Sequence, residues 1–328
     1  MGYHARIVGW GKFLPERVLT NHELELRLPT SDEWITTRTG IKERRIASDL
    51  DTPATMGTAA ARDALAAAQL SPTDIDLVIT ATSSPERVLP ATASLIQRNL
   101  GMRPVGAFDL NAACSGFVYG LAMAAQFVEA GVYRNVLVVG AEVYSRLLDW
   151  DDRTTCILFG DGAGAAVVQQ SSEPGGILGW VLGNDGSAAD TISVRGIGAP
   201  PDENPTIAES PYLVMQGSTV FKMAVRAIID STKQVVSDAG LSLDDIDLLI
   251  PHQANVRIIH NAAETLGMSD ERVFVNVDRY GNTAAASIPI ALCEAVELGR
   301  VQEGQRIVLT TVGAGISWAS MAIEWRTK

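Results

Sequence analysis

A thiol, an imidazole and a carboxamide stand in three short, small-residue segments of this chain. The thiol is Cys114 in Asp109-Leu110-Asn111-Ala112-Ala113-Cys114-Ser115-Gly116-Phe117. The imidazole is His252 in Pro251-His252-Gln253-Ala254-Asn255. The carboxamide is Asn282 in Gly281-Asn282-Thr283-Ala284-Ala285-Ala286-Ser287. Each segment begins where an apolar, strand-like run gives way to Gly, Ala and Ser. Such turns let a backbone approach a ligand closely and expose a side chain at the end of a sheet. The set points to covalent acyl chemistry on a thiol, with two hydrogen-bond donors aimed at a carbonyl.

Each group also has a plainer reading. A free cysteine is usually a core residue. Cys114, however, follows a strand and opens a helix, where the helix N-terminus favours a thiolate. Cys156 and Cys293 lack that context and read as core. His252 could be a structural, hydrogen-bonded histidine, and Asn282 could serve a turn or cap a helix. Phe159-Gly160-Asp161-Gly162-Ala163-Gly164-Ala165 tempts a nucleotide-loop reading. The next residues, Ala166-Val167-Val168, look more like strand than helix. A pyrophosphate needs a helix N-terminus there, so a Gly-rich turn between strands is expected. Trp34, in the loop Thr30 to Gly40, could be core or surface.

Composition sets the limits. The chain has 328 residues, 47% hydrophobic and 20% charged, as expected of a soluble globular protein with a large core in two lobes. The net charge of −12 argues against a nucleic-acid partner. Any acidic partner must therefore dock on a local basic patch. Three cysteines without paired spacing, and no charged-apolar-small leader, point to free thiols in a reducing cytoplasm. The four histidines lie far apart, and no Cys or His pair has metal-ligand spacing, so no metal is expected. The uncharged run Leu110 to Val128 is long enough for a membrane span. Asn111, Ser115, Gln126 and two glycines within it favour a buried helix instead.

The chain repeats itself once. The ten residues from Leu70 to Ile79 match those from Leu241 to Ile250 at seven positions, an offset of 241 − 70 = 171. Leu100-Gly101-Met102 recurs as Leu266-Gly267-Met268, and Val136 to Gly140 resembles Val308 to Gly313. The order and the similar offsets suggest two homologous halves, 1–170 and 171–328. In the first half, helices are expected over Met56–Gln69, Ala91–Leu100 and Cys114–Glu129, and strands over Asp76–Thr82, Ala107–Leu110 and Asn135–Gly140. The second half should carry helices Val220–Ala239, Val256–Leu266 and Ala284–Leu298, and strands Asp247–Pro251, Val273–Val277 and Arg306–Val312. This alternation implies an α/β fold with largely parallel pairing. At the repeat offset Cys114 lands beside Asn282, and His252 lands at Ala81, the end of the equivalent strand. A pseudo-twofold axis would therefore bring the three groups together.

Together these segments resemble the β-ketoacyl-acyl-carrier-protein synthase III family of the thiolase superfamily. The likeness runs nearly end to end, through Thr30–Arg45, Asp109–Phe117, Phe159–Ala166, Pro251–Ile259, Tyr280–Pro289 and Gly313–Trp318. The Cys, His and Asn set is itself specific, because elongating condensing enzymes pair the cysteine with two histidines and thiolases use a second cysteine. The resemblance implies two thiolase-like α/β halves packed as a five-layer αβαβα sandwich. It implies a cytoplasmic homodimer that starts fatty-acid synthesis, with acyl-CoA as a substrate and no cofactor. In that reaction Cys114 takes the acyl group from acyl-CoA. A malonyl thioester on acyl carrier protein then loses carbon dioxide, His252 and Asn282 stabilise the enolate, and the enolate attacks the acyl-cysteine. The resemblance also implies an oxyanion hole from the backbone N–H groups of Cys114 and Ala314. It places Trp34 and Arg153 around the CoA adenine, and Arg38, Gly217, Phe221 and Asn255 along the entry tunnel.

Three positions depart from the family pattern. Val312 stands where an aromatic is common beside the histidine. Leu89 stands where short-chain members often carry a partner-subunit Phe, so a pocket open to primers longer than acetyl is expected. Glu264-Thr265 replaces a basic pair, which leaves carrier docking to Arg257, Lys222 and Arg226. Other readings are a polyketide starter synthase, an acyltransferase on the same fold, or a non-catalytic acyl-binding paralogue; the intact triad argues against the last.

Overall fold

Two mixed sheets with a helical layer between them form the frame. The computed structural model describes residues 2–198 and 210–327. The first part of the chain contains β1 (His4–Phe13), β2 (Arg17–Thr20), α1 (Asn21–Glu25), α2 (Asp32–Thr39), β3 (Glu43–Ile46), α3 (Pro53–Ala67), β4 (Leu77–Ala81), α4 (Thr92–Leu100), β5 (Gly106–Leu110), α5 (Gly116–Glu129), β6 (Asn135–Glu142) and β7 (Gly162–Ser171). The second contains β8 (Gly176–Asn184), β9 (Ile192–Ser193), β10 (Val214–Met215), α6 (Gly217–Asp238), β11 (Leu248–Pro251), α7 (Val256–Leu266), α8 (Val277–Tyr280), α9 (Ser287–Glu297), β12 (Arg306–Gly313) and β13 (Ser317–Glu324).

One sheet runs β1-β7-β6-β4-β5 and the other β8-β13-β12-β11. Helices α5 and α9 lie between them, α3 and α4 cover the first sheet, and α6 covers the second with α7 against it. That is the expected α/β sandwich. Its inner layer is apolar on nearly every side: Phe117, Val118, Leu121 and Ala125 of α5 and Ile288, Ala291 and Leu292 of α9 share one buried cluster with both sheets. The uncharged Leu110 to Val128 run is thus an interior helix and its lead-in, and no described helix is long and apolar enough to cross a membrane.

Local chemistry explains the helix ends. Thr52 and Thr55 form a capping box at the start of α3, with Pro53 in its first turn. Asn255 accepts from the Arg257 N–H to start α7, and Gly267 in a left-handed conformation ends it. Helix α7 occupies the expected residues.

Three expectations need correction. The pairing is mixed rather than largely parallel: β4 runs parallel to β5 and β6, and β11 to β12, but β7 and β13 are antiparallel to their neighbours. Neither β6–β7 nor β12–β13 has an α-helix between its strands, the usual crossover of a parallel pair. Val273–Val277 is not a strand. Only Val273 bridges to Leu249, and the Gln253 side chain takes over the ladder, donating to the Phe274 carbonyl and accepting from the Asn276 and Val277 N–H groups. Finally, the Gly-rich segment is a turn only through Asp161; Gly162 and Gly164 lie in β7 beneath α9. A Cβ on Gly164 would fall 2.6 Å from the Pro289 Cβ, so these glycines serve close helix–strand packing.

Candidate active site

The loops at one end of the sheets converge on a cavity of about 420 Å³ whose wall includes Cys114, His252 and Asn282. Cys114 follows β5, in a 3₁₀ turn (Ala113–Ser115) that precedes α5. Asn282 precedes the matching turn (Ala284–Ala286) that leads into α9. Ala113 and Ala284 both have φ = +47°, a strained value for a non-glycine residue, and they are 284 − 113 = 171 positions apart. His252 follows β11, with its N–H donated to the Thr310 carbonyl.

The surroundings assign each group a chemical capacity. Asn282 Oδ1 accepts from the Ala284 N–H at 2.9 Å, while its own N–H is held by the Leu158 carbonyl. With the amide oxygen engaged, the Nδ2 group is the part free to donate into the cavity. The Cys114 carbonyl accepts from Thr311 Oγ1 at 3.1 Å. A Cβ on Gly313 would stand 2.9 Å from the Cys114 nitrogen, so glycine lets this strand end close against the thiol turn.

Burial governs the charge states. It pushes the Cys114 thiol up to about 12, with a smaller contribution from the Glu142 carboxylate. Burial thus opposes the thiolate-favouring effect expected of the helix start. Burial also holds the His252 imidazole down at about 4, and no described residue bonds its Nδ1. A neutral imidazole that lines the same cavity as the thiol is chemically able to accept a thiol proton or to donate a single N–H to a carbonyl. Below pH 6.5 the unfolded chain protonates this ring, whereas the folded chain resists down to about pH 4. Stability from His252 is thus present above pH 6.5 and lost as pH falls toward 4, by up to about 3 kcal/mol. Urea unfolding of the wild type and His252→Gln above pH 6.5 and near pH 4 should show a shallower acid loss in the variant. Parallel losses would place the charge change elsewhere.

The remaining expected residues divide into two groups. Trp34, Arg38, Gly217, Phe221, Asn255 and Ala314 all line the cavity. Trp34 is 39% exposed at its mouth, with the Arg38 and Arg153 guanidinium carbons 5.9 and 5.3 Å from its ring centroid. Asn255 both caps α7 and donates to the Arg38 carbonyl. Arg153, Lys222, Arg226, Arg257 and Leu89 are not part of the wall. Arg257 sits over the Phe221 ring at 5.4 Å, Lys222 is exposed on α6, and Arg226 pairs with Asp230. Leu89 is 83% exposed and contributes nothing to this chain's own cavity.

Sequence reasoning missed several supporting residues. Arg44 is wholly buried and donates to the Leu19 and Ile157 carbonyls and to Asn21 Oδ1. Burial lowers its pKa to about 10. It braces the 157–160 segment from which Asn282 hangs. Tyr144 and Phe159 line the cavity near Cys114, and Ile192 and Met215 bring the short β9–β10 ribbon onto it. An arginine inside an otherwise apolar neighbourhood has no local signal, because its partners are distant carbonyls. Among the described residues, no group of three His, Cys, Asp or Glu side chains could hold a metal ion.

Comparison with known proteins identifies the chain's relatives. Two family models match: 3-oxoacyl-[acyl-carrier-protein (ACP)] synthase III over residues 108–186, and its C-terminal counterpart over 236–325. The chain is 51% identical over 327 residues to a beta-ketoacyl-[acyl-carrier-protein] synthase III of Roseiflexus castenholzii, covering 99% of both chains. It superposes on the crystal structure of a Thermus thermophilus synthase III with a TM-score of 0.94 and 45% identity, covering 98% of this chain and 100% of that one. It also superposes on the priming beta-ketosynthase of the R1128 polyketide pathway, with a TM-score of 0.92 and 38% identity over 98% of this chain and 96% of that one.

Proposed function

Because this chain belongs to the 3-oxoacyl-[acyl-carrier-protein] synthase III family, we propose that it condenses an acyl-CoA primer with malonyl-acyl carrier protein and so starts fatty-acid synthesis. Membership makes it a condensing enzyme of the acyltransferase type with a thiolase fold. One observation carries the mechanism: Cys114, His252 and Asn282, from three distant segments, line a single cavity with an aromatic, cationic mouth.

In the first half-reaction the Cys114 sulfur attacks the thioester carbonyl, and the neutral His252 imidazole takes the thiol proton. Backbone N–H groups of Cys114 and Ala314 hold the oxyanion, and the acyl–sulfur bond to CoA breaks. His252 passes that proton to the departing CoA sulfur, so CoA leaves as a thiol, His252 is neutral again and the acyl group stays on Cys114. In the second, a malonyl thioester enters by the same tunnel and its carboxylate departs as carbon dioxide. The electron pair of that bond forms an enolate, whose oxygen receives hydrogen bonds from Asn282 Nδ2 and the neutral His252. The enolate carbon then attacks the acyl-cysteine carbonyl and releases the Cys114 thiolate. Trp34, with Arg38 and Arg153 against its faces, offers a stacking and phosphate-pairing surface for the CoA nucleotide. One proton is taken up from solvent to return Cys114 to its thiol as carbon dioxide leaves, no electrons are gained or lost, and the reaction as written calls for no cofactor. A cytoplasmic homodimer remains the expected setting.

This chain carries a net charge of −12, so docking of an acidic carrier must rely on a local positive field. Arg257 and Lys222 stand beside the Phe221 side of the mouth, while the Asp230 pairing reduces what Arg226 can offer. The testing experiment supplies acyl-CoA with malonyl-acyl carrier protein and follows carbon dioxide release. Arg257→Glu should raise KM for the carrier substrate severalfold, chiefly at low salt, and leave KM for acyl-CoA much less affected. Absence of carbon dioxide release with any acyl-CoA would reject the condensation. Unchanged carrier kinetics at low salt, with condensation intact, would favour a CoA-borne or polyketide extender, the reading that the R1128 likeness supports.

A further inference from the structure

Glu294 is a buried carboxylate that the mechanism above leaves unused. It lies midway along α9, 6% exposed. Among the described residues, its four hydrogen bonds all come from donors. Oε1 accepts from the Tyr280 hydroxyl at 2.5 Å and from Arg279 Nη1 at 3.1 Å. Oε2 accepts from Asn276 Nδ2 at 2.8 Å and from Arg279 Nη2 at 3.0 Å. A paired guanidinium and two neutral donors make this a strong and directional fixture.

The three donor residues stand on the approach to Asn282. Asn276 caps α8, Arg279 and Tyr280 end it, and Gly281 and Asn282 follow at once, with Gly281 at φ = +62°. The same approach is tied to the histidine. The Asn276 N–H is given to Gln253 Oε1 at 2.9 Å, and Gln253 is the chain neighbour of His252. The Gln253 N–H is in turn given to Ser287 Oγ, at the start of the helix that carries Glu294. Asn276 is therefore the shared link between a histidine side and an asparagine side. The backbone bonds of Asn282 do something else: its N–H goes to the Leu158 carbonyl and its carbonyl accepts from the Gly160 N–H. Those two hold it to the 158–160 segment and leave its distance from His252 to the Glu294 contacts.

From this geometry we infer that Glu294 is a positioning residue that sets the spacing of His252 and Asn282, so that both donors reach one enolate oxygen. The inference rests on the condensation reading above and adds a residue to its second half-reaction. The two half-reactions differ in what they ask of the spacing. Acylation uses Cys114, the His252 imidazole and backbone donors, and does not call on Asn282. Decarboxylation needs the His252 and Asn282 donors to converge on one atom. A misplacement of about 1 Å is enough to cost about 10²-fold in rate. Glu294→Gln keeps the shape and removes the fixture. All four contacts are donors, so a carboxamide must turn its own NH₂ toward at least one of them, and the charge that holds Arg279 is gone.

The test measures both half-reactions in the wild type, Glu294→Gln, Tyr280→Phe and Asn276→Ala. Single-turnover loading of Cys114 from acetyl-CoA is followed by intact mass. Carbon dioxide release is followed at saturating malonyl-acyl carrier protein. The readout is the ratio of the decarboxylation rate to the loading rate within each protein, which a general loss of folded enzyme does not move. Glu294→Gln should lower that ratio at least about tenfold. Tyr280→Phe, which deletes one contact, should lower it by a smaller factor. Asn276→Ala, which cuts the link to Gln253 and spares the Arg279 and Tyr280 contacts, should lower it as well. An unchanged ratio in a Glu294→Gln protein that still loads acetyl overturns the inference. If that variant does not fold, unchanged ratios in both Tyr280→Phe and Asn276→Ala overturn it instead. A wild type that releases no carbon dioxide with any acyl-CoA fails differently: it removes the condensation reading itself.

Discussion

Cys114→Ala should abolish covalent acylation by acyl-CoA, the largest effect expected of any single change here. Neither other cysteine can substitute. Cys156 is fully buried and Cys293 is 2% exposed; burial pushes their thiols up to about 11 and about 12, and neither lines the cavity. Cys114 also has a high resting pKa, but it alone shares a wall with an imidazole that stays neutral. That pairing changes what activates the sulfur. Where a lowered pKa supplies a standing thiolate, the acylation rate follows the thiolate fraction. In the proposed mechanism the proton moves to His252 as the sulfur attacks, so removing either partner should be severe and the two losses should not add. Intact-mass measurement after incubation with acetyl-CoA reads the result directly. The Cys114→Ala protein should still release carbon dioxide from a malonyl thioester, because Asn282 and His252 are untouched, and that activity verifies the fold. Label at the wild-type level in the variant would sink the assignment of Cys114.

How much of the fold and site is legible in the sequence depends on the kind of signal. The three chemistry-bearing segments are visible because each marks a change from apolar strand to small residues, a local pattern. The boundaries of α7 are equally local, set by Asn255 and Gly267. Long-range partners are not legible. Gln253 reads as an ordinary polar residue after a strand, yet its amide satisfies three backbone groups 21 to 24 positions away and converts a strand-like run into a loop. Arg44 and Tyr144 are similar cases: one is defined by carbonyls up to 113 residues distant, the other by a serine 61 residues earlier. Mixed pairing escapes for a different reason. Apolar runs buried on both faces look alike in parallel and antiparallel ladders, and only the connection length distinguishes them. The repeat at offset 171 predicts convergence of the triad, and the equal φ angles of Ala113 and Ala284 support a shared origin for the two turns.

Asn282 separates the two half-reactions. Asn282→Ala should still load Cys114 with an acyl group, yet lose about 10²–10³ in malonyl decarboxylation, the usual consequence of deleting one oxyanion-type donor, roughly 2.7–4 kcal/mol. The side chain has two duties, which complicates that variant. Its oxygen caps the Ala284 N–H, next to a backbone at φ +47°, and its nitrogen is the donor assigned to the enolate. Alanine removes both. Asn282→Asp keeps an oxygen for the Ala284 N–H and replaces the donor by a second acceptor. If the donor is what matters, Asp should be at least as slow as Ala in decarboxylation, since a carboxylate repels an enolate that the amide would stabilise. If the cap matters, Asp should rescue what Ala loses. Single-turnover acylation and carbon dioxide release, measured on both variants, decide between these. Loss of both half-reactions to the same degree in Asn282→Ala, with recovery of both in Asn282→Asp, would make Asn282 a positioning residue. The enolate would then depend on His252 alone, whose ring must carry its single proton on the nitrogen facing the substrate.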